Sequence, residues 1–94
     1  MLIPAGYSQI VALAGPKSLG DGTLGAIPSG TVLAIVQAES ADVRWRDDQT
    51  DPTAGVGMVL AAGDVLQIDS YFSQFRFIQV TAGAKLNVTF YGAG

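Results

Sequence analysis

The chain has 94 residues, a formal net charge of −3, and neither cysteine nor histidine. This leaves room for one domain, 1–94, and excludes a disulfide framework, a thiolate metal site and the nucleophile pairs that depend on Cys or His. Because 49% of residues are hydrophobic and only 14% charged, part of the surface is expected to be covered by another molecule.

The five basic residues, Lys17, Arg44, Arg46, Arg76 and Lys85, are scattered, so they form no stripe to neutralise a phosphate backbone and no nucleic-acid partner is expected. The start at Met1-Leu2-Ile3-Pro4 lacks the basic and long apolar regions of a signal peptide. No apolar run approaches the length that spans a bilayer, so neither secretion nor membrane insertion is expected.

Short apolar, β-branched and aromatic runs alternate with Gly, Pro, Asp and Ser roughly every 8–12 residues, the pattern of an all-β sandwich or barrel. Residues 1–30 are rich in Gly and hold three of the four prolines; they read as an irregular arm with one strand, 7–14, and a short candidate at 23–27. Further strands are expected at 31–38, 42–46, 56–60, 65–69, 74–80 and 85–91, making seven or eight in a single small jelly-roll-like sandwich or barrel.

Alternation assigns the faces. Leu86, Val88 and Phe90 should point inward, with Asn87, Thr89 and Tyr91 outward; Val43 and Trp45 inward, with Arg44 and Arg46 outward; Leu66 and Ile68 opposite Gln67 and Asp69. Trp45, flanked by two outward arginines, is expected to anchor the core. Two strands are apolar on both faces. Leu33 and Ile35 oppose Val32, Ala34 and Val36, while Ile78 and Val80 oppose Phe75 and Phe77. So small a domain cannot cover both faces, and self-association is expected. Tyr7, Tyr71 and Tyr91 fall near strand ends, where a ring with a wet hydroxyl suits an interface or a stacked ligand. The interface candidates are Leu33, Ile35, Tyr71, Ile78, Val80 and Tyr91.

Candidate chemistry is sparse. Asp47, Asp48 and Asp51 place three carboxylates within five residues, the one cluster that invites calcium; the spacing is not that of an EF-hand loop, and Arg44 and Arg46 are near enough to pair with it. Gly15-Pro16-Lys17-Ser18 has Pro where a phosphate-binding loop needs Gly, and no helix follows it. Asn87-Val88-Thr89 matches a glycosylation acceptor but fits better as the outward face of a strand. No cofactor is expected, and no enzymatic activity.

The runs Val43-Arg44-Trp45-Arg46-Asp47-Asp48, Asp51-Pro52-Thr53-Ala54 and Val56-Gly57-Met58-Val59-Leu60-Ala61-Ala62-Gly63, with Phe75-Arg76-Phe77-Ile78 and 82–91, resemble small β proteins encoded among the head and structural genes of tailed bacteriophages and prophages. The resemblance covers roughly residues 42–91 and departs at Gln49, where Gly is usual. It implies a virion component made in the bacterial host cytoplasm. The expected role is a capsid decoration or cement protein on the capsid surface, bound to the major capsid protein and assembled as a homotrimer, and no catalytic residue carries over. The alternative is a carbohydrate- or receptor-binding β-sandwich of a tail fibre or spike, for which the exposed tyrosines and the acidic loop 47–51 speak.

Overall fold

A computed structural model describes residues 1–94. Eight strands occur in chain order: β1 (Leu2–Ile10), β2 (Lys17–Ser18), β3 (Thr31–Glu39), β4 (Val43–Arg46), β5 (Met58–Leu60), β6 (Val65–Ile68), β7 (Arg76–Gln79) and β8 (Lys85–Ala93). They form two antiparallel four-stranded sheets, one ordered β1-β8-β3-β6 and the other β2-β7-β4-β5. Two such sheets packed face to face in that order are a jelly roll, the more specific of the two all-β architectures expected.

Leu86, Val88 and Phe90 of β8, Ala34, Val36 and Ala38 of β3, Ile10 of β1 and Ile68 of β6 line the inner face of the first sheet. Val43, Leu60 and Phe77 meet them from the second. Leu13 and Leu19, in the crossing segments beside β2, close the open side. Only 17 of 94 residues are buried, so each carries a large share of the burial free energy.

β1 begins at Leu2 and ends at Ile10, earlier than expected. Pro4 and Gly6 look like strand breakers, but β1 is an edge strand. A bulge between Pro4 and Gly6 absorbs the ring without breaking the pairing to β8. Beyond Ile10 the chain turns at Ala12, whose φ is 58°. Residues 23–27 form no strand. This segment instead fastens to the outer edge of β1, with Thr23 N donating to Gln9 O at 2.9 Å and Leu24 N to Ser8 Oγ at 3.1 Å. The last strand of the second sheet is the two-residue β2, paired to β7.

Trp45 is not the core anchor. It faces inward beside Phe77 and packs against the edge of the core, but its ring is only partly buried; Phe77 and Phe90 are the large aromatics sealed inside. Trp45 packs on Phe75 with ring centroids 5.3 Å apart and planes 34° from parallel.

The short connections 11–16, 40–42, 61–64 and 80–84, each crossing from one sheet to the other, lie at one end of the sandwich. The longer connections 19–30, 47–57 and 69–75, with both termini, lie at the other. The ends therefore differ in kind: one has tight turns, the other a broad loop surface.

The two positions most exposed to a packing test are Phe77 and Gly22. Phe77→Ala empties a ring-sized space and should cost about 3–5 kcal/mol, enough to abolish a thermal transition in a domain of this size. A side chain on Gly22 would run into Ser8 Oγ, Gln9 O and Ile10 Cγ1, so Gly22→Ala should destabilise by about 1–3 kcal/mol. A denaturant titration reads both.

Candidate functional site

The loop surface gathers most of the large apolar side chains left in solvent: Met1, Leu2, Ile3, Leu24, Val32, Val56, Met58 and Tyr71. At one corner it sinks into a hollow of roughly 500 Å³ lined by Trp45, Arg46, Asp47, Asp48, Val56, Gly57 and Met58. The half-buried Trp45 supplies one wall, while Val56 and Met58 are more than half exposed on the other.

Connection 47–57 is held by its own contacts. Pro52 is sealed beneath it, Thr53 and Val56 bridge each other, and Arg44 folds over to donate from Nε to Ala54 O at 3.1 Å and from Nη1 to Gly57 O at 2.7 Å. Gly57, at φ 141°, lies so close to Arg44, Pro52 and the Trp45 carbonyl that a side chain would crowd all three. The hollow is thus largely pre-formed, as binding sites usually are.

The acidic cluster is dispersed. Arg46 grips Asp48 with two hydrogen bonds, Nε to Oδ1 at 3.0 Å and Nη2 to Oδ2, while Asp51 accepts from Arg76 Nη1 at 3.3 Å. No group of three or more His, Cys, Asp or Glu side chains is placed to hold a metal ion. Asp47, Asp48 and Asp51 therefore do not form the calcium site that their spacing invites, because two of the three are turned toward different arginines. The bond from Arg46 holds the Asp48 carboxyl below its ordinary pKa and raises the Arg46 guanidinium in turn. Arg76 keeps its buried Nε without a partner.

The six interface candidates are not brought together. Leu33, Ile35 and Tyr91 share the outer face of the first sheet, where Leu33 pairs with Tyr91 and Ile35 with Thr89. Ile78 stands on the outer face of the second sheet opposite Arg44, with Val59 beyond it, and Val80 follows just after β7. Tyr71 projects from the loop end, 72% exposed, in a left-handed conformation at φ 53°. A single flat contact cannot use both sheet faces. The sequence reading missed the role of Val56 and Met58; their positions on either side of Gly57, in a run otherwise read as strand, were the available signal.

A pre-formed hollow at the loop end of a jelly roll defines the molecule as a small β-sandwich with one specialised end. Comparisons with protein-family models, with curated proteins and with solved structures find no match.

Two outcomes follow from the geometry of this loop. Gln49 has a φ of 67°, the left-handed region that costs an L-residue about 1–2 kcal/mol. Gln49→Gly should therefore stabilise the protein by about 0.5–1 kcal/mol once the greater freedom of Gly in the unfolded chain is subtracted, seen as a higher denaturation midpoint at unchanged slope. For Asp48, NMR titration of the carboxyl carbon should give a midpoint below the ordinary carboxylate value, rising toward it in Arg46→Gln. The folded-state value is the depressed one, so the pair's contribution is complete above the ordinary value and lost as pH falls through the lowered one; at this exposure it is small.

Proposed function

We propose that the protein is a structural component of a tailed-bacteriophage virion, a capsid decoration or cement protein that binds the major capsid protein through its loop end. The observation that carries this reading is a coincidence of position. All seven residues that line the Trp45 hollow lie within the runs that resemble phage head proteins, 43–48 and 56–63. The jelly roll occurs in both capsid and lectin domains, and a fold alone does not choose between them. The hollow favours a protein partner. Its walls are Trp, Val and Met, with one ion pair at the rim, the make-up of a pocket that takes an apolar anchor side chain.

Copies associate as a trimer through the outer face of the second sheet. Arg44 is folded away onto the 47–57 loop, which leaves Ile78 and the exposed Val59 as an apolar strip continued by Val80. The edge of β5 is open beside it. Closed cyclic symmetry hides such a strip without forming fibres.

Mass spectrometry of purified virions should find the polypeptide, and its absence would remove the proposal. Stripped capsids should rebind the wild-type protein but not Met58→Asp, whose melt should be unchanged because that side chain is 60% exposed. Light scattering at micromolar concentration should give about three times 9.7 kDa, falling to the monomer mass in a folded Ile78→Glu variant. A wild-type mass of 9.7 kDa would exclude the trimer in solution.

A further inference from the structure

The outer face of the first sheet carries a second hollow, of roughly 330 Å³, remote from the Trp45 corner and unused by the capsid-binding reading. It is lined by Tyr7, Ile35, Gln37, Val65, Asn87 and Thr89, together with the main chain of Val88, whose side chain is buried in the core. These residues occupy two adjacent rows across the four strands. Tyr7, Thr89, Ile35 and Gln67 are in register in one row, and Gln9, Asn87, Gln37 and Val65 in the next.

A hydrogen-bonded ladder fixes the polar side of the hollow. Asn87 Oδ1 accepts from the Tyr7 hydroxyl and from Gln9 Nε2 at 3.1 Å, and Asn87 Nδ2 donates to Glu39 Oε1 at 2.7 Å. These three bonds fill the Asn87 oxygen and use one of its two N–H groups, which fixes the amide's orientation and leaves one N–H to donate. Gln9 and Glu39 brace Asn87 from outside the lining, while the lining itself keeps unused polar groups. The Tyr7 oxygen, having donated its proton, offers lone pairs; Asn87 keeps one N–H, Thr89 its hydroxyl and Gln37 a full amide.

We propose that this hollow binds a neutral saccharide, a pyranose ring resting its C–H face on Ile35 and Val65 against Tyr7, with its hydroxyls on the ladder. The chemistry selects this class. No lining residue is charged, and the one carboxylate in the ladder, Glu39, would repel an anion, so neither a phosphate nor a carboxylate is called for. The lining mixes acceptors, on Tyr7 and Gln37, with donors, on Asn87, Gln37 and Thr89, which suits hydroxyls because each can both donate and accept. An apolar floor beside orienting amides is the division of labour by which such a ligand is held. An apolar protein side chain would leave these donors and acceptors unpaired, at a cost a polyhydroxylated ring avoids. The orientation is set before binding, so the ligand does not bear the entropy of ordering the site.

The test is calorimetry and saturation-transfer NMR on the full chain with methyl glycosides of glucose, galactose, mannose and N-acetylglucosamine, with glucuronate as a charged comparator. At least one neutral glycoside should bind and glucuronate more weakly. Tyr7→Ala and Gln37→Ala should each weaken binding by roughly tenfold or more with unchanged melts, since both side chains are exposed. Met58→Ala, at the other hollow, should leave binding unaltered. Failure of every glycoside to bind, or equal binding by wild type and Tyr7→Ala, would overturn the proposal. So would an oligomer that falls to monomers in Tyr7→Ala, since the face would then lie between copies.

Discussion

Leu86, Val88 and Phe90 reach the core only if β8 lies between β1 and β3, because all three are buried on one face of a strand whose other face carries Asn87, Thr89 and Tyr91. That placement is the constraint on which the rest of the molecule depends. It inserts the last strand between the first and the third, joining residues about 80 positions apart, Tyr7 and Asn87 among them. Such long-range pairing is slow to form, since the closure entropy is lost before the contacts compensate for it. It also makes the domain all-or-none: without β8 the first sheet loses its centre and the second has nothing to pack against.

The same insertion explains why the two hollows differ in kind. The Trp45 corner is built from neighbours in sequence, β4, its following loop and the start of β5, and its shape is held locally by Pro52, Arg44 and Gly57. The hollow on the first sheet is built from strands far apart in sequence that meet only because β8 lies between β1 and β3. A change that loosens β8 would therefore spoil the second while leaving much of the first intact.

Part of this was legible in the sequence. The period of two in 86–91 identified the inward face of β8. Seven of the eight strands were found with their ends displaced, for physical reasons, while the two-residue β2 lies in a Gly-Pro segment that reads as a turn. Pro4 and Gly6 read as breakers because a sequence does not show that β1 is an edge strand with room for a bulge. Residues 23–27 read as a strand because Leu24 and Ile27 are apolar, although their backbone only clips onto β1. Trp45 read as core because alternation gives the direction of a side chain and not how far along the sandwich it sits. In the aspartate cluster, spacing pointed to the pairing with Arg46 but could not show that Asp51 turns to Arg76, 25 residues away in the chain. The Tyr7–Asn87–Glu39 ladder had no local signal at all, since its members are brought together only by register.

The separation of long loops and termini from short turns has a practical side. Both chain ends emerge at the loop end, so on the capsid-binding proposal a tag or fusion at either one would sit between the protein and its partner. The opposite end consists of tight corners, among them those at Gly63 and Gly83, which adopt φ of 89° and 93° and have open space around them. A peptide spliced into either corner would point away from the loop end, and surface turns of this sort tolerate insertion well. Insertions that must leave the loop end free therefore belong in the turns and not at the chain ends.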